Sequence, residues 1–174
     1  MKKNENPAGS NIEITIGDLL FLPSGALICP CQFGGRHDNG VCRQILQLAG
    51  KDLERDIKNH AKREGAYLSS PYRLGMRQIK NILHLNISSE PPLKASIAKA
   101  LDEAFILAEK KEIQSVSIGS LNASAFGISW QDAANLISVA LSRLQPTENP
   151  ISIRITDSNL QFITKIREVL HAPA

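Results

Sequence analysis

Three stretches concentrate groups able to do chemistry, and each follows a run that reads as a β-strand. Gly17-Asp18-Leu19-Leu20 sets a carboxylate directly after Ile12–Ile16. There it could accept from an exocyclic amine of a ligand, or cap the backbone N–H groups of a turn, which is the commoner use. Gln32-Phe33-Gly34-Gly35-Arg36-His37-Asp38-Asn39-Gly40-Val41 joins a buried strand to a helix. Its glycines can turn backbone N–H groups inward as an anion nest beside a helix N-terminus. It has neither the Lys-Ser/Thr end of a P-loop nor the G-x-G-x-x-G spacing of a dinucleotide fingerprint. Gly119-Ser120-Leu121-Asn122-Ala123-Ser124-Ala125-Phe126-Gly127 is built of small residues that let a ligand approach the backbone closely. Two such loops at one sheet edge would grip a diphosphate from both sides.

The three cysteines form a fourth feature. Cys29 and Cys31, two apart on a strand, share a face, and with His37 and Cys42 they have the ligand types of a Cys3His zinc site. No C-x2-C knuckle is present, and free cysteines commonly pack in cores, so the expectation is core packing with no metal and no assigned catalytic residue. Cys42 as a nucleophile would have only His37 nearby as a base. His37 and Asp38, being adjacent, read as solvated loop residues rather than an acid–base pair. His84, in an apolar strand, reads as a half-buried, hydrogen-bonded histidine, and His60 and His171 as exposed helix positions. Trp130 reads as core, with stacking at a cleft edge as its alternative use.

The elements that must carry these loops follow from two alternating periodicities. Ile12-Glu13-Ile14-Thr15-Ile16 and Ile151-Ser152-Ile153-Arg154-Ile155 alternate apolar and polar, the pattern of half-buried strands. Gly25–Cys29 is a continuous small-apolar run suited to a strand covered on both faces. Asn81–Ile87 and Gln114–Gly119 read as further strands. Between them lie helical stripes at Val41, Ile45 and Leu48, at Leu53 and Ile57, and at Leu93, Ile97, Leu101, Phe105 and Ala108. Ser129-x-x-Asp132 opens another helix as a capping box with Asp in place of Glu, and Asp157 or Ser158 is the expected cap of the last. Strands alternating with helices predict an α/β domain with a largely parallel central sheet, whose ligands sit at the carboxyl ends of the strands.

Composition bounds the rest. The 174 residues suffice for one domain, expected over residues 12–174 behind a flexible tail of residues 1–11. Twenty Lys and Arg against 17 Asp and Glu give a formal charge of +3, too small an excess to argue for a nucleic-acid or membrane partner. The acids and bases of Lys51–Arg63 fall at helical spacing and read as a solvated face. No apolar run approaches a membrane span, and three cysteines make no disulfide framework, so a cytoplasmic protein is expected.

With these segments in order, the chain resembles the macro domain, the ADP-ribose-binding α/β module. Gly17-Asp18, two apolar residues, Pro23 and the strand into Gln32 resemble that family's GD(I/V)T segment running into N-A-A-N. Gly40-Val41 and Ala49-Gly50 resemble its G-G-G-V loop and the A-G that closes the next helix. Gly65-Ala66 with Tyr72-Arg73-Leu74 is similar to G-E-A … G-Y-x-L, and Leu121–Gly127 falls where I-S-T-G-x-Y-G is expected. The resemblance spans about Ile12 to Leu170. It implies a three-layer α/β/α sandwich around a mixed, largely parallel sheet. It further implies a cleft for ADP-ribose or a related nucleotide diphosphate, free or carried on an ADP-ribosylated protein, and no cofactor.

Carried over by position, the resemblance implies that Asp18 receives the adenine amine and Leu19 offers backbone beside it. It sets Gln32 against the distal ribose and Gly40 and Val41, with Cys42 following, on the phosphate side. Ser124, Ala125, Phe126 and Gly127 would form the opposite wall, with Phe126 packing on the distal ribose, and Asn159 matches an adenine-facing position loosely. The sequence also departs from the pattern. N-A-A-N is Cys29-Pro30-Cys31-Gln32, Asp38 and Asn39 replace two glycines, Ser124 replaces the glycine of S-T-G, and Cys42 stands where de-ADP-ribosylating members carry Asp. A thiol cannot replace a carboxylate that helps activate water. The leading expectation is therefore a binding module without the usual hydrolase activity. Two other readings compete: a hydrolase of ADP-ribosyl or ADP-ribose-phosphate groups with substituted catalytic residues, and a macro-like scaffold that has lost its ligand.

Overall fold

The apolar run Ala26–Gln32 forms a strand buried along its length, because helices cover both of its faces. The computed structural model describes residues 4–5, 10–32, 40–60, 64–88, 90 and 92–171. In chain order these form β1 (Asn4–Glu5), β2 (Asn11–Ile16), β3 (Ala26–Gln32), α1 (Gly40–Ala49), α2 (Lys51–His60), β4 (Gly65–Ser69) and β5 (Ile82–Ile87). There follow α3 (Leu93–Lys110), β6 (Ser115–Ile118), the single-turn α4 (Ala123–Phe126), α5 (Trp130–Ser142), β7 (Ser152–Asp157) and α6 (Leu160–His171). Two 3₁₀ turns, Leu19–Phe21 and Tyr72–Arg77, connect strands. The sheet order is β1-β2-β7-β6-β3-β5-β4, antiparallel only at its two edge pairs.

Strand alternation divides the interior into two cores. Ala26 and Ile28 of β3, with Leu83, Leu85 and Ile87 of β5, face α3, α5 and α6, whose Phe105, Ile137 and Phe162 fill the larger core. Leu27, Cys29 and Cys31, with Ile82, face the other way, against Cys42, Ile45, Leu53 and Ile57 of α1 and α2. The molecule is a three-layer α/β/α sandwich with a mostly parallel sheet, as the sequence implies. No helix among the described residues is long and apolar enough to cross a membrane.

Several expectations need correction. Within the predicted tail, Asn4–Glu5 pairs antiparallel with Asn11–Ile12, because the outer edge of β2 otherwise presents open backbone groups. Gly65–Ser69 is a strand the sequence reading did not assign. The last helix is capped by Asn159, whose Oδ1 accepts from Phe162 N at 3.1 Å, and not by Asp157 or Ser158. His84 is wholly buried, since β4 and β3 flank it on both sides. The Ser129 cap is as expected: its hydroxyl accepts from Asp132 N at 3.0 Å.

Candidate functional site

Pro30 lies in the middle of the sheet but breaks no ladder. Leu27 N–H bonds to Asn81 O on the β5 side, so alternate residues, Pro30 among them, turn their nitrogens toward β6. Pairing with β6 extends only over Ala26–Leu27, so at Pro30 that side is open. The opening is a cleft of about 360 Å³ at the carboxyl ends of the parallel strands. Ile28 and Pro30 form its floor, Asp18 and Leu19 one end, Gly40, Val41 and Gln44 of α1 one wall, and Ser120–Asn122, Ser124 and Trp130 the other. Thr156–Asn159 completes it beside Asp18.

Carboxylates hold these loops. Asp18 Oδ1 accepts from Leu20 N at 2.9 Å and caps the 3₁₀ turn, while the residue itself is exposed. Asp157, opposite Ile16 in register, bridges two loops: Oδ2 accepts from Ser120 N (3.0 Å) and Oδ1 from Asn159 N (2.8 Å). Its carbonyl also accepts from Gly17 N at 3.1 Å. The turn before α4 is left-handed at Leu121 (φ 56°) and Asn122 (φ 55°), a sparsely populated conformation for residues with a Cβ. That turn carries the Asn122 side chain over Gly40, where a Cβ would stand 1.8 Å from its Oδ1. Gly40 (φ 54°) thus starts α1 where it meets the turn at Asn122.

Among the described lining residues there is no Lys or Arg, and the acids are Asp18 and Asp157. The donors that the described residues offer an anion are therefore neutral: backbone N–H groups, the N-terminus of the ten-residue α1, and side chains such as those of Ser120, Asn122 and Ser124. No acidic side chain stands in the first turn of α1.

Of the residues singled out from sequence, Asp18, Leu19, Gly40, Val41 and Ser124 line this cleft. Gln32, Cys42, Ala125, Phe126 and Gly127 are not among its lining. Gln32 is half-buried at the end of β3, opposite Ile87, and Phe126 packs against the larger core. Gly127 (φ 67°) ends α4, its N–H reaching Ser124 O. Cys42, two residues into α1, turns away from the cleft toward Cys29. Residues 33–39, with Phe33, His37, Asp38 and Asn39, lie outside the described residues. The sequence reading missed Asp157 as a bridge between loops. Its signal was a second carboxylate directly after an alternating strand, matching Asp18 after the first.

The thiols form a separate layer beneath α1. Cys29 Sγ lies 3.5 Å from Cys42 Sγ, Cys31 Sγ donates to Leu85 O at 3.3 Å, and Cys42 Sγ donates to Pro30 O. His84 shares the layer, its Nε2 2.8 Å from Ser69 Oγ and its ring stacked on Tyr67 at 4.5 Å. His60 stacks on the other face of Tyr67, also at 4.5 Å. Hydrogen bonding with Cys31 and Cys42, together with burial, pushes the Cys29 thiol well up. For Cys42 the hydrogen bond from Cys29 acts downward, but burial and the neighbouring Cys31 outweigh it and the thiol is raised. Both are neutral thiols near pH 7, the state of core residues and not of activated nucleophiles.

The macro domain family matches residues 30–137. A relative from Aquifex aeolicus (strain VF5), an uncharacterized protein, is 22% identical over 163 residues, covering 90% of this chain and 97% of its own. Among solved structures, the Oceanobacillus iheyensis macrodomain with ADP superposes with a TM-score of 0.81 at 16% identity, over 98% of this chain and 93% of that one. The Trypanosoma brucei macrodomain in complex with ADP gives 0.79 at 15%, over 91% and 68%.

Proposed function

This chain belongs to the macro domain family, and from that premise we propose that its cleft binds ADP-ribose, or a related nucleotide diphosphate, without the usual hydrolase activity. The observation carrying this reading is a cleft of about 360 Å³ that offers a carboxylate at one end and, in its middle, backbone N–H groups with no Lys or Arg among the described lining residues. Asp18 takes the adenine amine and Leu19 and Asn159 flank the base. The diphosphate lies between the N-terminus of α1 at Gly40-Val41 and the loop ending in Ser124. ADP, the ligand of two similar macrodomains, has the base and diphosphate this arrangement would hold.

Two features support binding without turnover. The first turn of α1 has no carboxylate, and Cys42, at the position of the hydrolytic Asp, is buried under α1 as a raised, neutral thiol. The described residues leave the cleft open, and Phe126 does not enter it, which weighs against a scaffold filled by those side chains. Gln32 and Phe126 stay in the reading as supports behind the distal ribose rather than as walls of the described cleft. An ADP-ribosylated protein is the natural carrier of the ligand, and three free thiols suit a reducing cytoplasm.

Thermal unfolding with ADP-ribose, ADP and AMP tests the reading. Ligand at ~100 times its dissociation constant adds about 2.7 kcal/mol, a rise of several degrees at roughly 2–4 °C per kcal/mol. The expected result is a larger rise with ADP-ribose than with ADP, and no ADP-ribose release from a mono-ADP-ribosylated protein above the buffer rate. No shift at millimolar ligand overturns binding, and enzyme-dependent release overturns the second half.

A further inference from the structure

The layer under α1 holds four metal-ligating side chains that the cleft does not use. Parallel register sets His84 of β5 beside Cys29 of β3, and strand alternation adds Cys31 on the same face. Helix α1 lowers Cys42 onto them. All four are buried, none more than 2% exposed. Cys29 Sγ, Cys31 Sγ and a ring nitrogen of His84 lie within 4.8 Å of one another, and Cys42 Sγ is 3.5 Å from Cys29 Sγ. Thiolates held ~2.3 Å from a tetrahedral Zn²⁺ stand about 3.8 Å apart. Cys29, Cys31 and His84 need only draw together around an ion, and Cys42, already against Cys29, is the fourth donor that α1 brings to them.

We propose that Cys29, Cys31, Cys42 and His84 form a structural zinc site, distinct from the nucleotide cleft and independent of its occupant. Three sulfurs and one imidazole are the donors of a closed Cys3His centre, and oxygen-preferring Mg²⁺ or Ca²⁺ finds no suitable ligand there. The groups around the donors match what such a centre needs. Ser69 Oγ engages His84 Nε2, and the Tyr67 ring stacked on the imidazole fixes its plane, the outer support a metal-bound histidine requires. The Asn122 amide approaches Cys42 Sγ at 4.0 Å as a donor to sulfur. On binding, the three thiols release their protons to solvent and the imidazole binds neutral, so the complex carries one net negative charge. The thiol hydrogen bonds to Pro30 O and Leu85 O are replaced by metal–sulfur bonds.

The test uses the full chain, produced in medium containing either Zn²⁺ or Co²⁺ and purified under reducing conditions. Elemental analysis gives the metal content, and absorption of the cobalt protein reads the ligands. One equivalent of tightly held metal is expected, with thiolate-to-cobalt charge transfer and the visible bands of a tetrahedral ion. Cys31→Ser lowers the metal content at least tenfold and removes the charge-transfer band. Half an equivalent or more with that band in the unsubstituted protein supports the site. Less metal in a folded protein, or cobalt without the thiolate band, overturns it, the latter meaning surface imidazole only. Should Cys31→Ser fail to fold, the two readouts on the unsubstituted chain decide alone. ADP-ribose binding is measured on the same samples, so failure of the metal site and failure of the cleft remain separate results.

Discussion

Ile28 and Pro30 line the open cleft, whereas Cys29 and Cys31, one residue along in each case, project through the sheet into the layer sealed by α1. The two sites thus share one strand and differ in nearly every physical respect. The cleft is open and polar, and its only described charged groups are two acids. The layer is dry, crowded and neutral, its polar atoms hydrogen-bonded to carbonyls, a serine and one another. Of the four departures from N-A-A-N, those at Cys29 and Cys31 belong to the layer, Pro30 sits where a missing N–H breaks no pairing, and Gln32 ends the strand half-buried.

If this division is right, substitutions in the layer move stability and substitutions at the cleft move affinity. The largest effect is expected for His84→Ala. It removes the Ser69 hydrogen bond and the stack on Tyr67 and leaves a cavity, at a cost of about 3 kcal/mol. Denaturant unfolding measures that loss, and the ADP-ribose affinity of the folded fraction should not change. A tenfold change in affinity would mean that the two sites are coupled through β3.

Raising pH reads the layer without substitution. The Cys29 and Cys42 thiols are held above their ordinary value in the folded metal-free protein. An acid whose folded pKa is raised stabilises fully below the unfolded pKa, about 8.5 for a thiol, and less as pH climbs beyond it. Stability of the metal-free protein therefore falls above about pH 8.5, by up to ~1.4 kcal/mol per pH unit for each thiol. Metal binding releases those protons, so loading with zinc should flatten or reverse the slope. Unfolding curves at pH 7.5 and 9.5, with and without zinc, check this. A metal-free protein equally stable at both values would contradict the buried-thiol account.

On the cleft side, Asp157→Ala removes the acceptor that joins Ser120 N to Asn159 N. One wall and the end beside Asp18 depend on it, so ADP-ribose affinity should fall at least tenfold, with stability down by about 1–2 kcal/mol. Asp18→Ala is the milder change. It loses one cap, the Leu20 N–H bond, and the proposed adenine contact, so affinity for AMP, ADP and ADP-ribose should fall together by roughly tenfold. Calorimetric titration separates the two. A loss confined to the diphosphate-bearing ligands would assign Asp18 to the wrong end.

How far the sequence reveals this architecture depends on whether a residue's partner is near or far in the chain. The strand at Asn11–Ile16, the helix at Leu93–Lys110 and the Ser129 cap are legible because period 2, period 3.6 and a four-residue box are local patterns. Strand β4 is not. Its inward residues are Gly65, Tyr67 and Ser69, which mark no apolar face, and they are buried because an edge pairing lays them beside Asn86, His84 and Ile82. Asp18, Gly40 and Ser124 were legible because each follows a strand in a loop of its own. Asp157 passed for a helix cap because its other partner, Ser120, is 37 residues away. Likewise Cys29 and Cys31 could be placed on one face by spacing, but the imidazole beside them among the described residues is that of His84, far along the chain. Only the β3–β5 register brings His84 there.

The smallest effect comes from a group in neither site. Asp132, in the first turn of α5 two residues after the cleft-lining Trp130, meets Lys94 of α3 at 2.8 Å and the Ser129 hydroxyl at 2.9 Å. The bond to Lys94, then that to Ser129, holds its carboxyl below the usual value. A depressed carboxylate stabilises fully above the unfolded pKa, near 3.9, and loses that contribution as pH falls through the lower folded value. Asp132→Asn keeps an oxygen for Ser129 and removes only the charge. Its deficit against the unsubstituted chain should be constant at neutral pH and vanish in acid. Because the pair is exposed, added salt should shrink the deficit at any pH. If ADP-ribose affinity also follows that titration, the start of α5 transmits charge to the cleft through Trp130, and the cleft is less self-contained than its Asp157-braced loops imply.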